Sequence, residues 1–378
     1  MTSDTHHTNT TNTKLNKDIN LYSVKCSNGI TYLLKYLLDQ VANAVVFMDL
    51  VLNTEQLFYR AHTRKISAIG KHLEAIGRYV DTYCDTYEYN PVLAFFYDQF
   101  RKHPIKNYRF DMSVWNPDCV DCFEDFVKTM RLNARSLRIK KHRRDWESKL
   151  VKNAKRIRQF LDELFTRYAR VVVVRTDFNY HKATITPQEL EHFLAAEMMS
   201  KQEQQDAFFD GVEINQTSST KGVISFEEVQ ADRARLVRNM KGKPSIFKHL
   251  VGYIWRIECS RISGYHLHMT FFFDGSHVQK DAYLGDLIGQ YWIDTITQGR
   301  GYYENCNRNK SRYGHALALG RIDYTDTDKR RLLFDALSYF CKASQVVQMV
   351  PYKNCRTFQC AFHRVRSAKI GRPRASSS

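Results

Sequence analysis

Long apolar runs are missing from this chain. The longest, near Val41–Leu52, is broken by Asp49 and is too short to span a bilayer. The stretch from Met1 to Asp18 is polar and holds no apolar signal core, so a secreted product is not expected. A disulfide pattern is missing as well. Nine cysteines is an odd number, scattered without rhythm, which points to reduced thiols and a cytoplasmic setting. Cys119 and Cys122 have zinc-ligand spacing, but no second pair stands nearby to complete a structural site. The chain has no internal repeat. It also has no GxxxxGK[ST] phosphate loop, which excludes a motor of that type.

What is present is a chain of 378 residues, long enough for two domains with separate cores. Its hydrophobic content of 43% is that of a globular protein, and its formal charge is +17. Such a balance calls for a polyanionic partner, nucleic acid first and an anionic membrane surface second. Residues 1–20 are rich in Thr, Asn and His and are expected to be disordered. Residues 21–164 read as mostly helical. Apolar residues recur at three- and four-residue spacing in Ile30–Leu52, Glu55–Tyr87 and Pro91–His103, with breaks at Asn90-Pro91, His103-Pro104 and Asn116-Pro117. From Phe126 to Tyr168 one or two long basic helices are expected. Residues 128–158 carry thirteen Lys and Arg against only Asp145 and Glu147.

Beyond residue 165 strands alternate with helices. Strand-like runs cover Arg170–Phe178, 251–258, 265–273 and Ala316–Asp323. Helices are expected at Pro187–Ser200, Phe226–Lys241 after a capping Ser225, Asp281–Thr297 and Asp326–Val347. The mixture predicts an α+β fold, an antiparallel-rich sheet with helices on one face, preceded by the helical N-terminal region. The organisation is then a 1–20 tail, a 21–164 basic helical region, a 165–352 α+β domain and a 353–378 basic tail.

The run Gly264–Gly275 carries the most chemistry. Side chains alternate along a strand, so His266 and His268 share one face while Leu267, Met269, Phe271 and Phe273 share the other. If the strand ending at Glu258 turns near Ile262 and pairs back, Glu258 stands opposite His266. Two imidazoles and a carboxylate then converge, a donor set suited to a divalent metal. On the strand Val171–Tyr180, Arg175 and Asp177 share a face. Asp177 either assists the metal or forms a structural salt bridge.

This arrangement resembles the metal site of the HUH endonucleases, which nick single-stranded DNA with a tyrosine. Tyr339, in Leu337–Lys342, matches that family's Tyr-x-x-Lys pattern and follows the histidines, and Lys342 lies one helical turn on. Tyr352 is a second candidate. The wider likeness is to filamentous-phage (inovirus) gene-two replication initiators and their prophage relatives. It runs from about Phe165 to Arg356 and includes Val171–Tyr180, Val251–Gly275 and Ile288–Asn307. The resemblance implies an RRM-like HUH domain, with Tyr339 as nucleophile, Lys342 in support, and Mg²⁺ or Mn²⁺ on His266, His268 and Glu258. It further implies rolling-circle initiation in a bacterial cytoplasm, on a single-stranded origin with duplex flanks, using a host helicase and polymerase.

Candidate phosphate contacts are Arg138, Lys140, Lys141, Arg143 and Arg144 in the basic helices, with a solvated helix face as the alternative. In the loop Gly299–Gly314 they are Arg300, Arg308, Lys310 and Arg312, interleaved with Tyr302, Tyr303 and Tyr313. The alternative there is a mobile surface loop. The tail includes Gly371–Arg374, which has the form of an AT-hook core or of a plain basic tail. Two rival functions stay open: a transposase or relaxase with the same chemistry, and a non-catalytic DNA-binding prophage protein that kept the fold.

Overall fold

The computed structural model describes residues 23–25, 31–33, 35–59, 65–83, 88–108, 117–196, 199, 224–260, 264–310, 318–338, 347–348 and 356–363. Among them no helix is long and apolar enough to cross a membrane. Residues 1–20, Ile262, Arg312, Tyr313, Tyr339, Lys342, Tyr352 and Gly371–Arg374 lie outside the described residues.

The first half is helical, as its periodicity predicts. A small hairpin, β1 (Ser23–Lys25) and β2 (Thr31–Leu33), precedes α1 (Lys35–Asn53). A short α2 (Ile76–Val80) and the two-residue β3 (Glu88–Tyr89) lead to α3 (Pro91–Lys102). The Asn90-Pro91 break is an N-cap. The Asn90 side chain accepts from the Val92 and Leu93 amides, and proline takes the first helical position. Next come α4 (Pro117–Ser136) and the 29-residue α5 (Ile139–Arg167), broken from each other at Arg138, whose φ is 52°. Phe47, Phe96, Phe123 and Phe126 form the fully buried centre of this region.

The second half is built on β4 (Arg170–Tyr180). A helix follows over 187–196 (α6), then α7 (Phe226–Asn239) and α8 (Pro244–Phe247). The strands β5 (Leu250–Ser260) and β6 (Gly264–Asp274) pair antiparallel. After them come α9 (Asp281–Tyr291), which runs on as a π turn over Trp292–Ile296, and β7 (Gly301–Asn305). The last described elements are β8 (Gly320–Asp323), α10 (Thr327–Ser338), β9 (Val347–Gln348) and β10 (Phe358–Phe362). The open sheet has the order β10-β5-β6-β4-β7, with β8 pairing the other end of β4.

Both faces of this sheet are used. Val172, Val174, Trp255, Leu267, Met269, Phe271 and Phe273 point to a face covered by α7, α8, α9 and the π turn. Val171, Val173, Ile254 and Phe272 point the other way, onto Phe160, Leu161 and Leu164 of α5 and Leu333 and Leu337 of α10. Gly252 allows the close approach of α5, since a Cβ there would lie 2.8 Å from the Phe160 ring. The helical layer thus has a partner on the opposite face. Among the described residues that partner covers one end, and the histidines stand toward the other.

Several boundaries differ from the sequence reading. Glu55–Tyr87 is not one helix. Thr54 Oγ1 turns back on Leu50 O, a β-bridge joins Tyr59 to Ile66, and among the described residues of this stretch only Gly70–Val80 is helical, as a 3₁₀ turn and α2. Thr31–Leu33 is strand, and Val347, expected in a helix, pairs with Tyr89 in a two-residue ladder. The 299–314 loop contains β7, which pairs with Thr176–Tyr180. The expected tail from residue 353 contributes β10, an outer strand beside β5. The boundary at 164 falls inside α5, whose last turns pack on the sheet.

Candidate functional site

The register of β5 against β6 sets Glu258 opposite His266 and Arg256 opposite His268. On the other side of β6, Asp177 of β4 also stands opposite His268. Three neighbouring strands therefore deliver six charged or titratable groups to one patch of one face: Arg175, Asp177, His266, His268, Arg256 and Glu258. Such groups are tolerated there because the charged ones answer one another, while His266 meets His268 ring to ring. Arg175 grips Asp177 with two bonds, Nε to Oδ1 at 3.0 Å and Nη2 to Oδ2 at 3.1 Å. Asp177 Oδ1 in turn lies 2.8 Å from His268 Nδ1, and Glu258 Oε2 lies 3.3 Å from His268 Nε2. Arg256 Nε closes the chain 3.0 Å from Glu258 Oε1. The two imidazoles stand edge to face with centroids 4.9 Å apart.

Among the described residues one group of three or more His, Cys, Asp and Glu could hold a metal, and it is Glu258, His266 and His268. One ligand atom from each lies within 4.8 Å of the others. Two imidazole nitrogens and one carboxylate oxygen suit a divalent cation of borderline hardness. Asp177 stands behind His268 on the Nδ1 side and leaves Nε2 toward Glu258, the usual support of a metal-binding imidazole. The residues fit a metal.

Electrostatics follow from this packing. Burial disfavours charge on all four central groups. Burial alone would raise Asp177, but Arg175 and His268 hold it well below the usual carboxylate range. Glu258 is likewise held low against its burial by His268 and Arg256. For His268, burial pulls the pKa down, but the Asp177 and Glu258 charges outweigh it and raise it to about 9. His266 goes the other way, to about 4, through burial and the neighbouring His268. One imidazole is therefore a proton holder and the other a neutral donor.

Residues 133–361 match the family described as YagK/YfjJ C-terminal domain. The chain belongs to that family. No curated protein and no solved structure matches the chain. The YagK/YfjJ match begins inside α4, takes in the whole of α5, and ends one residue short of the end of β10. All six residues of the charged patch fall within it.

In this YagK/YfjJ-family chain the other sequence candidates divide. Arg138, Lys140, Lys141 and Arg144 are exposed on or beside α5. Arg143 is only half exposed and is tied to Asp49 of α1 at 2.6 Å and to Glu147 at 3.0 Å. Arg300 bonds Glu228 and Asp232 of α7, fastening the start of β7 to that helix. Arg308 bonds Asp286, and Lys310 lies 2.6 Å from Asp281, both on α9. Each of these four cations ties one element to another, and Arg300, Arg308 and Lys310 keep about half or more of their side-chain surface exposed. Tyr339 and Lys342 follow α10 in the chain, outside the described residues. Arg256 and the pairing of Asp177 with His268 were missed from sequence. The first has an ordinary alternating-strand signal, while the second needs the β4–β6 register.

Proposed function

We propose that the protein is a metal-dependent endonuclease that nicks and rejoins single-stranded DNA through a tyrosine, and so starts rolling-circle replication of a phage or prophage genome. The observation that carries this reading is the convergence of Glu258, His266 and His268 from paired strands. A cation such as Mg²⁺ or Mn²⁺ held there would polarise a scissile phosphate, which is worth several kcal/mol to a displacement at phosphorus. The chain's own part is to hold the three donors at fixed spacing. Asp177 orients His268, and Arg175 and Arg256 balance the two buried carboxylates. In the proposed step the Tyr339 oxygen bonds to phosphorus as the phosphorus–O3′ bond breaks. The phenol gives up its proton, and the departing 3′ oxygen ends as a hydroxyl that a polymerase can extend. Lys342 would support the same transfer. Reversal of the step reseals the strand. The parts of Tyr339 and Lys342 rest on their Tyr-x-x-Lys spacing and their order after the histidines. Host helicase and polymerase in a bacterial cytoplasm complete the proposed setting.

The test is incubation with origin-bearing circular single-stranded DNA and Mn²⁺, read on a denaturing gel. Cleavage should require metal and leave a 5′ adduct that maps to Tyr339. His266→Ala with His268→Ala should abolish cleavage but spare DNA binding, because affinity comes mostly from Lys and Arg. Full nicking in EDTA would sink the metal reading. An adduct on Tyr352 would move the nucleophile. Binding without any cleavage would favour the non-catalytic rival.

A further inference from the structure

The structure sorts the basic residues of 128–158 into two groups. Those of α4 are absorbed locally. Arg131 is buried and donates to Val51 O and Gln56 O, Arg135 pairs Glu55, and Lys128 pairs Glu124. Arg143 is tied down as described, and Arg158 lies over the Phe334 ring. On α5 a second group has no acidic partner among the described residues, and its main members are Lys141, Arg144, Lys152 and Lys155.

At about 100° per residue these four fall within an arc of roughly 80°, opposite the stripe that Ile157, Leu161 and Leu164 bury. Ser148, also exposed, fills the gap between them. At 1.5 Å per residue the stripe is about 21 Å long, close to six phosphate steps of one DNA strand. It ends where Asp162 and Glu163 take over the exposed face, each beside an arginine of its own.

We propose that this outer face of α5 docks the phosphate backbone of duplex DNA, independently of sequence. Duplex is favoured over single-stranded DNA because the stripe holds no aromatic side chain. Single-strand grooves gain much of their affinity from bases stacked on aromatic rings. Between Lys141 and Lys155 the aromatic rings are Trp146, which lies toward the inner side and is half-buried, and His142, which lies about 100° round the helix from Lys141 and off the stripe. An anionic bilayer is disfavoured because the apolar face that would enter it is already packed on the sheet. Since α5 continues onto the sheet face that carries His266 and His268, a duplex held on it is fixed relative to the candidate metal site. The proposal shares with the nickase reading only that DNA is the ligand.

The experiment measures binding of a mixed-sequence duplex by fluorescence anisotropy, in EDTA, from about 50 to 200 mM salt. Compared with the full-length wild type, a variant with Lys141, Arg144, Lys152 and Lys155 all changed to Gln should show a salt slope smaller by about 3 to 4. Its melting temperature should be unchanged. Arg143→Gln should do the reverse, lowering the melting temperature and keeping the slope. The dock is overturned by an unchanged slope in the fourfold variant. It is also overturned if the fourfold change weakens binding to a single strand of equal length more than to the duplex, or affects only phosphatidylserine vesicles. Wild type that binds duplex in this way yet cuts nothing leaves the dock standing and removes the nickase. Wild type that cuts, with a slope the fourfold variant does not change, removes the dock alone.

Discussion

Asp177 decides how the histidine pair is read at the scale of single residues. Sequence left it between a metal helper and a structural salt bridge, and the fold gives it both contacts, Arg175 on one side and His268 on the other. A carboxylate behind a metal-binding imidazole typically sets affinity by 10- to 100-fold. Asp177→Asn should therefore weaken Mn²⁺ binding by about that factor, measured by calorimetry on the intact protein. Equal affinity in the two proteins would reduce Asp177 to a partner of Arg175. Glu258 opposite His266 could be read in advance because a tight hairpin fixes register between neighbours in the chain. Asp177 could not, because β4 meets β6 across some ninety residues of sequence, and no local pattern encodes that register.

Elements were legible where local chemistry writes their ends. Asn90-Pro91 opens α3, and Ser225 opens α7 by accepting from the Glu228 amide. Glu228, three residues on, is placed to complete a capping box, but its carboxylate bonds Arg300 in a tertiary contact. Between Thr54 and Ile69 the helical periodicity misleads. Buried Arg131, arriving from α4, satisfies the Val51 and Gln56 carbonyls and holds a turn that no local pattern shows. Glycines in helices give a test of packing at this scale. A Cβ on Gly289 of α9 would sit 2.2 Å from the Tyr303 ring, whereas one on Gly242 meets nothing within 4 Å. Helix propensity favours alanine over glycine by up to about 1 kcal/mol, but overpacking costs about 1 to 3. Gly289→Ala should thus lower stability by roughly 1 to 2 kcal/mol in urea unfolding, while Gly242→Ala should be neutral or mildly stabilising. A stabilised Gly289→Ala would mean that β7 is not seated on α9 as described.

At the scale of the molecule, α5 is shared by two cores: Ile139 belongs to the helical region and Ile157 to Phe165 belong to the sheet. A boundary at residue 164 follows from where composition changes, but packing makes the helix common property. The charged patch adds a pH signature to the whole protein. Below about pH 6.5 His268 is protonated in both folded and unfolded chains, and its gain from Asp177 and Glu258 is complete. From there to about 9 only the folded chain keeps the proton, so stability falls as pH rises, by something on the order of 3 kcal/mol. His266 has the opposite sign. Between about 4 and 6.5 the unfolded chain binds the extra proton, so stability rises with pH. Asp177 and Glu258, both held low, add to that acid-side rise. Metal-free protein should therefore melt highest near pH 6.5. With Mn²⁺ bound, His268 Nε2 carries no proton, and the alkaline fall should flatten. Thermal melts across this range, with and without Mn²⁺, check both curves, and His268→Gln should remove the fall without any metal. A metal-free curve that stays level from pH 6.5 to 9 would show that His268 does not hold its proton between the two carboxylates.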